Sequence, residues 1–194
     1  LVNEYLGDEL VWHLSRDSTQ IEGREKPVAK PRKEPVVKRK RGRPKKGEER
    51  PKPEPTRIER QLSQTYVEAI AELPSACDVG TKIDSKGSKC HWVGYKFHVD
   101  ICDGGVPLSA VTTSASVHDS QVAVPLMKMS ADRVDSLYDL MDSAYDAKAI
   151  RELSRQLGHV PIIDSNARGG KAEPMEPDRA RRYNNRATAE RFNS

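Results

Sequence analysis

The sequence predicts an α/β fold, a mixed sheet of antiparallel and parallel strands flanked by helices. Three observations carry this. Short apolar or alternating segments recur along the chain. The first of them are joined by turns, which suits an antiparallel meander. The later ones alternate with stretches of helical period, which suits strands joined by helices.

The elements follow in order. "LVWHLSRDST" at residues 10–19 alternates polar and apolar and reads as a strand ending at Asp17. "RIERQLSQTYVEAIAELP" at 57–74 reads as one helix, with Ile58, Leu62, Val67, Ile70 and Leu73 near helical spacing and Pro74 behind them. "CDVGTKID" at 77–84 and "WVGYKFHVDIC" at 92–102 read as strands across a polar turn. "DGGVP" signals a hairpin into "LSAVTTSAS". "HDSQVAVPLMKMS" opens a helix with Asp119 or Ser120 as N-cap. "VDSLYDLMDSAYD" holds a strand ending near Asp142, and "AKAIRELSRQLG" is a helix closed by Gly158. "HVPIID" is a short strand, and "EPDRARRYNNRATAERFNS" is a final helix.

Composition bounds the rest. Of 194 residues, 36% are hydrophobic and 32% charged, so some of the chain lies outside a packed core. No apolar run is long enough to cross a bilayer, and the N-terminus has no signal-peptide pattern. The chain lacks a starting Met and reads as an internal fragment. Cys77, Cys90 and Cys102 form no C-x-x-C pair, which speaks against a zinc ribbon or disulfide framework and for a reducing compartment. The net charge of +4 is concentrated in residues 26–57, rich in Lys, Arg, Pro and Glu. That stretch has too little apolar surface to offset its ordering entropy, so it reads as a disordered basic insertion facing an anionic partner. Within it, Arg41-Gly42-Arg43-Pro44 resembles an AT-hook core, followed by Lys45 and Lys46. Gly42 permits close approach to a narrow groove and Pro44 holds the chain extended. A generic basic linker is the alternative.

Asp17, Asp142 and Glu190 then stand out together. If the two strand ends are neighbours and the last helix crosses them, three carboxylates converge at one sheet edge. Such convergence is costly without a cation, and hard oxygen ligands suit Mg²⁺ or Mn²⁺. The chain has 29 acidic residues, so position alone does not single out these three. Local context does. Glu190 ends the pattern Y-x2-R-x3-E with Tyr183 and Arg186, and Asp142 stands in "DSAYDAKAI" before Lys148.

With "SRDST", "GYKFHVD" and "TSASVHDSQ", these motifs resemble the bacterial insertion-sequence transposases of the DDE class, in the branch with the Y-x2-R-x3-E signature. The resemblance runs from about Asp17 to the end. It implies a ribonuclease-H-like fold, with Asp17, Asp142 and Glu190 as catalytic metal ligands. It implies DNA contacts by Tyr183, Arg186 and Lys148, with Arg41, Arg43, Lys45 and Lys46 adding contacts from the insertion. The implied activity is DNA cleavage at transposon ends and strand transfer into target DNA, by a cytoplasmic, nucleoid-associated protein that is a homodimer when full length. The alternatives are a DNA-binding fragment without catalysis and a nuclease of the same fold without strand transfer. The family signature continues to a Lys at what would be position 197. Residues 10–194 are therefore expected to be a C-terminally truncated catalytic domain, with 1–9 a remnant of an N-terminal region.

Other residues invite a functional reading but read better as structural: His118 and Asp119 as a strand-to-helix turn rather than a catalytic pair, Trp12 and Trp92 as core rather than base-stacking, and Lys96 as a solvated strand lysine rather than a phosphate contact. "NARGGK" at 166–171 lacks P-loop spacing and reads as a connection that follows DNA backbone.

Overall fold

The structure, a computed structural model, describes residues 4, 6, 10–29, 54–83, 86–166 and 174–193. The span holding Arg41, Arg43, Lys45 and Lys46, most of residues 1–9, and most of the "NARGGK" segment lie outside the described residues. The two described ends of the basic span are tied to the fold. Val28 N–H donates to the Cys77 carbonyl (3.1 Å), and Thr56 caps a helix.

Among the described residues six strands form one sheet: β1 (Val11–Glu22), β2 (Asp78–Ile83), β3 (Lys89–Cys102), β4 (Pro107–Ser114), β5 (Ser136–Met141) and β6 (Val160–Ile163). Their order is β2-β3-β1-β5-β6, with β4 also paired to β3. β1, β2, β3 and β4 form the antiparallel part, while β5 and β6 run parallel to β1 and to each other. The helices whose bounds lie within the described residues are α1 (Arg57–Ser63), α2 (Tyr66–Ala71), α3 (Ser120–Ala131), α4 (Lys148–Gln156), α5 (Pro177–Tyr183) and α6 (Ala187–Phe192). α3 packs on β3 and β4 and gathers α1, α2 and α4 around itself. α6 packs on β1 and β3, and α5 on β5 and β6. This mixed sheet between two helical layers is a ribonuclease-H-like α/β fold.

Strand alternation separates the two layers. On β1, Arg16 faces α3: it pairs with Asp100 (2.5 Å), which accepts a hydrogen bond from Ser130 (2.7 Å). Its neighbour Asp17 faces the other way, where Asn193, just after α6, donates to it (3.1 Å). The apolar core beneath α3 and α4 joins Ala123, Val124, Met127, Met141, Tyr145, Ile150, Leu153 and Ile163.

β1 is longer than its pattern suggests. It does not end at Asp17 but continues to Glu22, because β3 pairs with it as far as Glu22↔Gly94. Hydrogen bonding to a long partner overrides the loss of apolar alternation after Asp17. Gly94 makes the join possible. Its φ is +149°, and a Cβ there would lie 2.1 Å from the Ile21 carbonyl oxygen.

The helix expected over 57–74 is two helices. Thr56 with Glu59 and Thr65 with Glu68 each form a capping box, so the second box starts a new helix and forces a break at Gln64. Lys128 of α3 then satisfies the free end of α1, donating to the carbonyls of Gln61, Leu62 and Gln64. A second repair lies inside α3. Pro125 has no N–H to give the carbonyl of Gln121 four residues back. The fully buried Gln61 amide donates to that carbonyl instead, at 2.9 Å.

The final helix is also interrupted. Asn184–Arg186 form a 3₁₀ turn between α5 and α6. Asn is a poor helix former, and Asn185 spends its amide on His13 Nε2 (3.4 Å). Trp12, expected in the core, is 54% exposed, whereas Trp92 is buried. Among the described residues no helix is long and apolar enough to cross a membrane.

Candidate active site

The parallel pairing of β1 and β5 builds the centre of the site. Its last registered pair is Ser15↔Leu140. Two residues further along both strands come Asp17 and Asp142, so register alone makes them neighbours. β5 stops at Met141 while β1 runs on to Glu22, which leaves the outer edge of β1 open beyond Asp17. A cleft of about 660 Å³ occupies this step. Asp17, Ser18, Thr19 and Gln20 form its β1 side, Asp142 and Ser143 the end of β5, and Asp119 and Lys96 the opposite flank.

Each aspartate is held by its surroundings. Asp142 is the N-cap of a 3₁₀ turn, Ser143–Tyr145, and accepts from the Ala144 N–H (2.9 Å). Burial pushes its pKa above the ordinary carboxylate value, and repulsion from Asp119 and Asp17 adds to the rise. Asp17 is raised chiefly by burial as well, against hydrogen bonding from the Ser18 backbone and the attraction of Arg186. Two half-buried carboxylates that disfavour each other's charge form a site that a cation would relieve. All the donors are hard oxygens, which fits Mg²⁺.

Glu190 does not join them in this arrangement. It is half exposed and ion-paired with Arg186, one turn before it. Arg186 lies between the two groups, 3.7 Å from Asp17 Oδ1 on its other side. Burial works against the charge of Arg186, but Tyr183, Asp17, Glu190 and Asp142 together hold its pKa above the ordinary value. Its guanidinium lies 5.7 Å from the Tyr183 ring. So Tyr183, Arg186 and Glu190 do share one face, and the cation now beside Asp17 is the protein's own. Among the described residues no group of three His, Cys, Asp or Glu side chains is arranged to hold a metal ion. Lys148 stands apart on the first turn of α4, exposed and paired with Glu152 at 3.6 Å.

Asp119 stands at the strand-to-helix turn where the sequence placed it, and its side chain also lines the cleft. It occupies the N-cap position of α3 but makes no capping bond. Its carboxylate instead accepts from Ser18 Oγ (2.9 Å) and Lys96 Nζ (3.0 Å). The β1–β3 register brings these two donors together. Lys96 pairs with Gln20 across β1 and β3, and Ser18 with His98, so residues two apart on each strand share a face.

Beneath the cleft lies a buried polar layer. Asp139 of β5 accepts from Ser154 (2.5 Å) and pairs with His159 (3.1 Å). Its pKa is pulled below the ordinary value: burial opposes this, but His159, Arg16 and Ser154 outweigh it. His98, 3.7 Å from Asp119, is pushed by burial down to about 4 and is neutral at pH 7.

No curated protein and no solved structure gives a match to this chain. A family profile does: one described as the transposase DDE domain matches residues 17–194, from the first aspartate of the cleft to the last residue. A ribonuclease-H-like sheet, with one aspartate on β1 and a second just past the end of its parallel neighbour β5, and a match that covers nearly all of it, shows that this chain belongs to the transposase DDE domain family.

Proposed function

We propose that the chain catalyses metal-dependent cleavage of DNA at transposon ends and strand transfer into target DNA. The juxtaposition of Asp17 and Asp142 carries this reading: two half-buried carboxylates with raised pKa values in an open cleft. Asp17 and Asp142 would hold Mg²⁺ or Mn²⁺, with Glu190 as a further ligand once Arg186 releases it. The bound ions would stabilise charge on the phosphate and make water a stronger nucleophile. Water attacks phosphorus, the P–O3′ bond breaks, and the departing 3′ oxygen takes up the proton. The freed 3′-hydroxyl then attacks a target phosphodiester in the same way. The chain's own residues orient these groups. Ser18 and Lys96 fix Asp119, Ala144 N–H fixes Asp142, and Arg186 with Tyr183 would contact DNA once it leaves Asp17. Lys148 and the basic residues Arg41, Arg43, Lys45 and Lys46 would add contacts to flanking or target DNA.

A second reading, a DNA-binding protein without catalysis, draws on one observation: Arg186 now engages both Asp17 and Glu190. Thermal melting with added Mg²⁺ or Mn²⁺ separates the two, because a ion that binds only the folded state raises its stability. The catalytic reading expects a rise in wild type that is lost in Asp17→Asn and in Asp142→Asn. It also expects metal-dependent nicking of plasmid DNA. Equal melting shifts in all three proteins, with no nicking, would favour the second reading.

A further inference from the structure

We propose that Lys96 is a phosphate-positioning residue, which holds a backbone phosphate of the DNA strand lying along the β2–β3 wall of the cleft. The inference rests on the DNA-processing reading above. Four features build the position. Lys96 lines the same cleft as Asp17 and Asp142. Its ammonium is fixed by the Val117 carbonyl (3.0 Å) and by Asp119 (3.0 Å), yet an ammonium has three donors and these acceptors use two. The Trp92 ring supports it from one side, with Nζ 5.9 Å from the ring centroid. The ring is itself locked, since Nε1 donates to the Tyr95 carbonyl (3.1 Å).

Gly80 shows that this support is built in. A Cβ at that position would lie 2.3 Å from Trp92 Cζ2, so β2 keeps a gap in which the indole lies. The result is a cation held at a set height on the wall, beside the two aspartates. Thr81 and Lys82 line the same wall and offer further donors suited to phosphate oxygens. A lysine serving only as partner to Asp119 would need neither the indole nor a place on the cleft surface. Asp119, tied by Ser18 to the strand of Asp17, fixes the position of Lys96 relative to the reacting centre.

The test is binding of a fluorescein-labelled, mixed-sequence duplex, followed by anisotropy over a range of salt concentrations. Loss of one phosphate contact flattens the slope of log affinity against log salt by about 0.9. Lys96→Ala should show that change and bind up to about tenfold more weakly at low salt, while Lys96→Arg should regain the wild-type slope. Gly80→Ala, which displaces Trp92 without removing a charge, should lower affinity and flatten the slope in part. If Lys96→Ala melts early, Lys96→Gln decides in its place. A wild-type slope in the folded Lys96 variants, or no duplex binding by the wild-type chain, overturns the proposal. Plasmid nicking with an unchanged slope would sink this inference and leave the cleavage reading standing. A Lys96-dependent slope without nicking would do the reverse.

Discussion

The carboxylates carried by the sheet and the one carried by the helix are fixed in different ways. Asp17 sits on β1 and Asp142 directly after its parallel neighbour β5, so the backbone pairing of the two strands sets their spacing before any side chain is considered. Glu190 sits on a six-residue helix that follows a 3₁₀ turn, and its partner is Arg186. A strand pair in a central sheet is rigid, whereas a short helix after a break has few bonds to hold it. The difference teaches that two thirds of the expected triad is built into the platform. The last third depends on how one arginine divides itself between Asp17 and Glu190.

Four experiments would break or sharpen this contrast. The largest effect is expected at the platform. Asp17→Asn or Asp142→Asn should lower metal-dependent nicking about a thousandfold or more, on the order of 4 kcal/mol of lost transition-state stabilisation. The same variants should melt no earlier than wild type without metal, since burial already disfavours both charges. A variant that retains strong nicking would show that the sheet pair is not the catalytic centre.

Next comes the layer under the platform. Arg16 and Asp100 are both fully buried and pair at 2.5 Å. Asp100→Asn would leave the guanidinium buried without its counter-charge, and chemical denaturation should show a loss of about 3–5 kcal/mol. A loss below about 1 kcal/mol would mean that this pair does not anchor β1.

The third effect depends on pH. The folded pKa of His98, about 4, lies below the unfolded value of about 6.5. Above both values His98 is neutral in either state. As pH falls from about 6.5 to about 4, the unfolded chain takes up a proton that the folded one refuses. Stability therefore drops over that window, by at most about 3 kcal/mol. The difference in denaturation between wild type and His98→Gln should shrink steadily across it. A constant difference would show that His98 is not buried neutral.

The smallest effect is expected at the helix. Glu190→Gln should reduce the metal-induced rise in melting temperature only in part, where Asp17→Asn removes it entirely. Complete loss in Glu190→Gln would show that the helix carboxylate is as firmly part of the site as the two on the sheet.

Much of the fold is legible in the sequence. Alternation marks β1 and β3, "DGGVP" marks the β3–β4 turn, and Gly158, with φ of +86°, closes the chain after α4 as expected. The split between α1 and α2 was legible too, in the repeated T-x-x-E of Thr56–Glu59 and Thr65–Glu68, but the apolar period running across both hides it. Asp119 was not legible. An aspartate before a helix reads as a cap, and only the arrival of Ser18 and Lys96 from two other strands turns its carboxylate into the cleft.

By itself, then, the sequence determined most of the elements, their order and the residue patterns around Asp17, Asp142 and Glu190, because period, turn residues and local spacing are properties of neighbours along the chain. Tertiary structure decided how far β1 runs, that Gln61 takes the carbonyl freed by Pro125, that Lys96 and Asp119 share the cleft, and that Arg186 stands between Asp17 and Glu190. Those outcomes hang on which distant groups meet. The free energy of a buried polar group depends on the partner it finds, and no local pattern names that partner.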